Sequence, residues 1–419
     1  MDDTISAIAT ALGVGSIGVI RLSGPDSLAI ADRIFAGREK PGKDNARKLL
    51  YGHILDRKGQ PIDEVLAVYM PGPHSYTGED VCEIQCHGGR QALQEILSLT
   101  YQAGARPAEP GEFTKRAFLN GRLDLAEAES VMDIINAKSR QALVAANRGH
   151  EGGLSRKVRE LRKKLRDLVV QLEAAIDYPE EDIEEVTYDR AAEVLAEGQA
   201  AVARLVRQGS AGRILREGLR TAIVGRPNVG KSSLLNSLLQ ADRAIVSNIP
   251  GTTRDIIEEQ MTIGGIPLVL TDTAGLRDTE DLVEKIGVER SRAALEDAQL
   301  ALVVLDGSQP LSGEDRELLR SLKDRKKLIL VNKSDLPQML DTEGLQREYG
   351  SSDVIVLSVK TGEGMEQVEQ WLREFVYGEG SDSESSSMTQ NARQQDLLEK
   401  ALRSLEDALE GARQHLPYD

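Results

Sequence analysis

Short apolar runs broken by glycine and proline fill the first 120 positions. Ile17-Gly18-Val19-Ile20-Arg21-Leu22 and Val65-Leu66-Ala67-Val68-Tyr69-Met70 read as strands, and Pro71-Gly72-Pro73 and His87-Gly88-Gly89 as turns. This predicts a small α+β domain over residues 1–120. From 121 to 212 strong turn signals nearly vanish. There Leu154, Val158, Leu161, Leu165, Leu168 and Leu172 recur in steps of four and three, the seam of a packed helix. Between 213 and 378 strands alternate with helices, which predicts an α/β domain with a mostly parallel sheet. A polar hinge, Gly378 to Ser387, then precedes a helix from Ala392 to Ala412, whose expected apolar stripe is Leu397, Leu398, Ala401, Leu405 and Leu409. The simplest architecture inserts the α/β domain into a helical domain formed by residues 121–212 and 379–419.

The most informative stretch is Gly225-Arg226-Pro227-Asn228-Val229-Gly230-Lys231-Ser232. A strand, Leu219-Arg220-Thr221-Ala222-Ile223-Val224, precedes it and a helix, Ser233 to Leu239, follows. In that context the octapeptide is a phosphate cradle, its glycines letting backbone N–H groups turn inward at a helix N-terminus. Lys231 can reach the β- and γ-phosphates and Ser232 can ligate Mg²⁺. The alternative, a chance glycine-rich turn, is disfavoured by the partner motifs that follow.

Those partners select the base. Asn332-Lys333-Ser334-Asp335 follows the strand Leu328-Ile329-Leu330-Val331, and Asp335 can accept from guanine N1–H and the exocyclic amine. Adenine offers no such pair, a difference of roughly 1–3 kcal/mol or more. Ser358-Val359-Lys360, after Val354-Ile355-Val356-Leu357, can supply a backbone contact to the guanine O6. Asp272-Thr273-Ala274-Gly275 ends the strand Ile266 to Thr271. Asp272 is expected to hold Mg²⁺ through water, and the Gly275 N–H to sense the γ-phosphate. Thr253, in Gly251-Thr252-Thr253-Arg254-Asp255, is expected to be the second Mg²⁺ hydroxyl. The order of these signals is that of a Ras-like GTPase domain.

After Gly275, where Ras-like enzymes commonly carry a water-orienting glutamine, this chain has Leu276. No arginine finger is evident, although Arg226, Arg254 and Arg277 are near. Asn228 can ligate a monovalent cation that neutralises charge in the finger's place. The acidic run Asp278 to Glu284 can orient water or be a solvated loop.

Composition narrows the class. The chain has 419 residues, a net charge of −16 and 3% aromatics. That argues against generic nucleic-acid adhesion and an aromatic base-stacking platform, though not against a local basic patch. No run of 18 apolar residues and no leader are visible, so a soluble cytoplasmic protein without membrane contact is expected. Both cysteines lie in Val81-Cys82-Glu83-Ile84-Gln85-Cys86. Strand alternation puts Cys82, Ile84 and Cys86 on one face, as core thiols rather than a metal pair, and Val81, Glu83 and Gln85 on the other. Glu83 then either lines a pocket or is solvated. Around the helical seam lie Arg156, Lys157, Arg159, Arg162, Lys163, Lys164 and Arg166. These form either a solvated helix face or a tRNA-phosphate contact.

Four further segments carry a resemblance over essentially the whole chain. They are Tyr76-Thr77-Gly78-Glu79-Asp80, Cys86-His87-Gly88-Gly89, the stretch Pro110-Gly111-Glu112-Phe113 through Arg116-Ala117-Phe118-Leu119-Asn120, and Gly251 to Asp255. With the motifs above, the chain resembles the MnmE (TrmE) family of tRNA-modification GTPases. The resemblance implies an N-terminal α+β domain that dimerises and binds a folate one-carbon carrier, 5,10-methylene- or 5-formyltetrahydrofolate, through Arg21, Glu83 and Arg122. It implies a heterotetramer with the flavoprotein MnmG (GidA) that installs an aminomethyl-type or carboxymethylaminomethyl group on C5 of the tRNA wobble uridine (U34). It implies K⁺ on Asn228, Ser247, Ile249 and Thr252, Mg²⁺ on Ser232 and Thr253, and catalysis by Glu284 with Lys231 and Asn228. The nucleotide contacts it implies run from Asn228 through Val229, Gly230, Lys231, Ser232 and Ser233. They continue at Ser247, Asn248, Ile249, Pro250, Gly251, Thr252 and Thr253, at Asp272, Thr273, Ala274 and Gly275, at Asn332, Lys333 and Asp335, and at Ser358, Val359 and Lys360.

Family members end in a Cys-x-Gly-Lys tail, whereas this sequence ends His415-Leu416-Pro417-Tyr418-Asp419. The expectation is that GTP hydrolysis survives without that tail, that modification depends on it, and that Leu397, Leu405 and Leu409 are left exposed. Two other readings stay open, a ribosome-assembly GTPase and a non-catalytic GTP-switched scaffold.

Overall fold

The computed structural model describes residues 3–11, 13, 15–177, 188–241, 259–270, 295, 297–378 and 390–416. Two compact units result, Met1–Val131 and Met132–Asp419.

The first unit is built on a seven-stranded sheet. Its strands are β1 (Ile5–Ile8), β2 (Ile17–Ser23), β3 (Phe35–Gly37), β4 (Leu50–Leu55), β5 (Pro61–Met70), β6 (Val81–His87) and β7 (Arg106–Pro107), ordered β3-β4-β5-β6-β2-β1-β7. All pairs are antiparallel except β1 with β7. Period-two alternation sorts each strand's side chains between two faces. Ile20 and Leu22 of β2 join Cys82, Ile84 and Cys86 of β6 in a core closed by α1 (Ser27–Ile34) and α2 (Arg90–Gln102). The cysteines are therefore core thiols, as strand alternation predicts, and burial pushes their pKa values up to about 12 for Cys82 and about 11 for Cys86. Arg21 and Glu83 alternate out of that core. α3 (Glu112–Leu119) follows, and α4 (Leu125–Ile135) runs across the boundary between the two units.

The second unit combines helices with a six-stranded sheet. α5 (Arg140–His150), α6 (Gly153–Asp177) and α7 (Tyr188–Glu217) lead into β8 (Leu219–Val224) and α8 (Lys231–Ala241). After them come β9 (Glu259–Ile263), β10 (Ile266–Leu270), β11 (Leu300–Asp306), α9 (Gly313–Ser321), β12 (Lys327–Asn332), α10 (Thr342–Tyr349), β13 (Val354–Val356), α11 (Met365–Tyr377) and α12 (Ala392–Arg413). The sheet order is β13-β12-β11-β8-β10-β9, parallel except for the β9–β10 hairpin. β10 and β11, on opposite sides of β8, mark the switch point where open α/β sheets bind ligands. The strands β11 and β12 are almost wholly buried, which explains their continuous apolar runs.

The helical seam on α6 packs against α7, with Leu154 and Leu168 buried and Leu161, Leu165 and Leu172 half-buried; Val158 remains 39% exposed. On α12 the expected stripe needs correction. Leu398, Leu405, Leu409 and Ala412 are buried, while Leu397 is 51% exposed and Ala401 is exposed. The expectation that Leu405 and Leu409 are exposed also fails, because α12 lays them against α7; the true stripe steps by seven, four and three, and Leu397 lies one residue outside it.

Candidate nucleotide site and N-terminal ligand site

The strand–loop–helix expectation is met by β8, the Gly225–Ser232 loop and α8. Gly225 and Gly230 hold φ of +151° and +105°. A Cβ on Gly225 would lie 2.3 Å from the Val304 carbonyl, and one on Gly230 would lie 2.3 Å from Asn332 Nδ2. Only glycine fits both places. Lys231 Nζ folds back across the loop and donates to the carbonyls of Gly225 (2.8 Å) and Arg226 (2.7 Å). Burial pulls this ammonium's pKa down. A polyphosphate in the cradle is the counter-charge that such a desolvated cation lacks. Asn228, Ser232 and Ser233 are exposed at the loop and the first turn of α8, and Asn228 adopts φ +64°.

Arg226 is not available as a finger. Its Nε donates to Asp315 Oδ1 at 2.9 Å, and Asp315 is otherwise held by the Ser312 N–H and hydroxyl at the start of α9.

The base-side residues converge with the loop at the carboxyl ends of the strands. Asn332 is 4% exposed. Its Nδ2 donates to the Val229 carbonyl at 2.8 Å, and its Oδ1 accepts from the Val359 N–H at 3.1 Å. Asp335 Oδ1 accepts from the buried Ser358 hydroxyl at 2.8 Å, with the Lys360 ammonium 3.9 Å from Oδ2. Lys333, at φ +70°, donates to Asp306 Oδ2 at 2.6 Å. Asp306 was not a sequence candidate. Against the opposing effect of burial, that lysine and the Ser308 hydroxyl and N–H keep its carboxyl below the ordinary range. The structure thus brings together Asn228, Val229, Gly230, Lys231, Ser232 and Ser233 with Asn332, Lys333, Asp335, Ser358, Val359 and Lys360. The other expected residues, Ser247, Asn248, Ile249, Pro250, Gly251, Thr252, Thr253, Asp272, Thr273, Ala274, Gly275 and Glu284, lie outside the described residues.

A second constellation stands on the open face of the N-terminal sheet. Arg21 and Glu83 are cross-strand partners, and Arg21 Nε donates to Glu83 Oε1 at 2.7 Å. The Arg21 guanidinium lies over the Tyr76 ring (5.0 Å from its centroid) and the Phe113 ring (5.6 Å). Arg122 lies over Tyr76 at 5.6 Å and donates to the Tyr76 carbonyl at 3.0 Å. Arg21 and Arg122 therefore meet around one aromatic ring, and Glu83 joins them through its ion pair with Arg21. Tyr76 and Phe113 were not assigned a role from sequence. Their signal was present, since both sit in segments that carry the family resemblance.

The rest of those segments is structural. Arg116, with a side chain 0% exposed, pairs with Asp3 (2.8 Å), Glu79 (3.1 Å) and Glu112 (3.1 Å). Arg106 adds a second link to Glu112 at 2.6 Å. Glu79 also accepts from Ser23, whose hydroxyl meets that of Thr77, and Asp80 accepts from Tyr69 and from the Gly72 N–H. This network fixes Tyr76–Asp80 and α3, and so positions both rings beside Arg21.

The sheet order, the phosphate loop and the Asn332–Asp335 motif braced against it define a P-loop GTPase of the Ras-like class. Two family models match, "GTP-binding protein TrmE N-terminus" over residues 4–122 and "MnmE helical domain" over 125–419. The chain is 49% identical over 423 residues to a tRNA modification GTPase MnmE of Clostridioides difficile, covering 100% of this chain and 92% of that protein. Corresponding proteins of Latilactobacillus sakei and Streptococcus thermophilus are each 48% identical, covering 100% of this chain and 90% of theirs. A crystal structure of Era with MgGDPNP and a 16S ribosomal RNA segment is 24% identical over 37% of this chain and 55% of that one, at a TM-score of 0.29 too low to bear weight. The chain belongs to the MnmE (TrmE) family of tRNA modification GTPases.

Proposed function

We propose that this chain is a K⁺-stimulated GTP hydrolase taking part in C5 modification of the tRNA wobble uridine, with a folate one-carbon donor in its N-terminal domain and a flavoprotein partner, MnmG. The observation that carries the GTPase reading is the meeting of the Gly225–Ser232 loop with Asn332, Asp335 and Ser358 at one edge of the sheet. In this reading Lys231 exchanges its loop carbonyls for phosphate oxygens, and Asp335, oriented by Ser358, accepts from guanine. Ser232 and Thr253 would hold Mg²⁺, which neutralises phosphate charge.

Two features favour an alkali ion in place of an arginine finger. Leu276 cannot orient water, and the Arg226 guanidinium is committed to Asp315. Asn228, Ser247, Ile249 and Thr252 are the proposed K⁺ ligands, and Glu284 the proposed water-orienting carboxylate. Glu284→Ala should slow turnover with GTP affinity kept; normal turnover moves that role elsewhere.

The Arg21–Glu83 pair beside Tyr76 and Phe113 supports the folate reading. Glu83 can accept from a pterin N–H edge, the rings offer flat apolar surface, and the guanidiniums can take carboxylate. Exposed Ile17, Leu49 and Tyr51 on this unit support dimerisation through the N-terminal domain, proposed as residues 1–120. The remaining proposed division is helical at 121–212 and 379–419, with the GTPase domain at 213–378. Among the described residues no helix is long and apolar enough to cross a membrane, and a cytoplasmic site of action is part of the proposal. The test is mass spectrometry of wobble nucleosides from cells in which this chain replaces a relative. Restored C5 modification is expected, and its absence beside normal GTP turnover would leave a GTPase of another pathway.

A further inference from the structure

The cations of α6 are the charged surface that hydrolysis and folate binding leave unused. Between residues 153 and 166 the chain places seven cations and one carboxylate, in a protein of net charge −16. All seven are exposed. Like charges recur one helical turn apart, Arg159 with Lys163 and Arg162 with Arg166, an arrangement that destabilises a helix. Of the seven, Lys164 pairs with Glu197 of α7 at 2.9 Å and Arg166 with Asp167 at 3.7 Å; elsewhere on these helices Arg213–Glu217 at 2.9 Å and Lys400–Asp396 at 2.7 Å are matched.

The excess extends from α6 onto α7. Lys157 of α6 reaches Gln208 of α7 at 3.3 Å. Desolvation first, and then the charges of Arg204 on α7 and Arg148 on α5, pull the Lys157 ammonium below its ordinary range, with Glu160 the opposing charge. Arg204 stands one helical turn before Gln208 on α7, so the α6 cations meet a second exposed cation there. α6 has no aromatic residue, and α7 has only Tyr188 at its first position. Such a surface holds phosphates and does not read bases.

We propose that the surface formed by Lys157 with the exposed Arg204 and Arg207 of α7, continued along α6 by Arg156 and Lys163, docks the sugar-phosphate backbone of tRNA. The inference rests on the tRNA-modification reading and adds to it the part of the chain that carries the RNA. Because these contacts are to phosphate, they set affinity and orientation, and the choice of tRNA is made elsewhere.

The test uses the full chain carrying Lys157→Glu, Arg204→Glu and Arg207→Glu together, with fluorescein-labelled tRNA followed by anisotropy across an NaCl series. Each lost phosphate contact lowers the slope of log affinity against log salt by about 0.7–0.9, so a loss of about 2–3 is expected, with at least tenfold weaker binding at low salt. RNA-free GTP turnover and 5-formyltetrahydrofolate binding should stay at wild-type values, which shows that the fold is intact. Lys157→Arg with Arg204→Lys and Arg207→Lys should restore the slope. A charge-reversed variant with wild-type slope and affinity would overturn the proposal while leaving the tRNA reading in place. A wild-type chain with no more affinity for tRNA than for polyglutamate, and no wobble modification in cells, would remove both. Normal RNA binding by the variant, with loss of a protein partner instead, would assign the surface to that partner and overturn the proposal.

Discussion

Asn332 donates to the Val229 carbonyl across 2.8 Å, tying the end of β12 to the middle of the phosphate loop, 103 residues away in sequence. The same amide accepts from the Val359 N–H, so three segments of the nucleotide site share one buried side chain. Asn332→Ala leaves the Val229 carbonyl without its donor, a cost of about 1–3 kcal/mol. We expect GTP affinity to fall roughly tenfold to a hundredfold. Titration with a fluorescent GTP analogue checks this, and unchanged affinity would mean that the loop holds its shape without the brace.

Asp335 distinguishes bases by accepting from two donors on guanine. Asp335→Asn replaces one acceptor position with a donor, which suits xanthine. GTP affinity should drop by about 1–3 kcal/mol while affinity for xanthosine triphosphate rises. Competition between the two nucleotides measures it, and retained GTP preference would refute the base assignment.

The buried ion network predicts a pH dependence for the N-terminal unit. Glu112 is held down to about 2, chiefly by the Arg106 hydrogen bonds, with the Glu109 N–H and Arg116 adding to them and burial opposing. A depressed carboxyl contributes stability that is fully present above its ordinary 4.5 and is lost as pH falls toward about 2. Glu112→Gln should therefore lose stability at neutral pH and show a flatter decline across that window. Urea unfolding at several pH values checks this; parallel curves for the two proteins would contradict it.

Glu83→Gln should weaken 5-formyltetrahydrofolate binding at least tenfold, since a pterin N–H edge would lose a charged acceptor worth about 1.5–3 kcal/mol. Melting temperature should change little, because Glu83 stands on the sheet face away from the core. Calorimetric titration reads the loss, and binding at wild-type strength would place the folate elsewhere.

What the sequence made legible were features set by neighbours along the chain. Gly225 and Gly230 announced a loop because only glycine permits the turn, and strand alternation placed Cys82, Ile84 and Cys86 inward. What it hid depended on distant partners. Arg116 reads as a surface residue until Asp3, 113 positions away, and Glu79 close around it. Arg226 is near the phosphate loop in sequence, and only the fold shows Asp315, 89 positions on, holding it. Likewise Leu397 and Leu405 stand about 80° apart on a helical wheel, close enough to share a broad apolar face, and the position of α7 leaves one exposed and buries the other.

The central proposal is that a bound potassium ion acts in place of an arginine finger and of the glutamine whose position Leu276 fills. GTP turnover by the purified chain, compared in KCl and NaCl at equal ionic strength, tests it most directly. Turnover at least tenfold faster in KCl is the predicted result. Equal rates in the two salts would contradict the account.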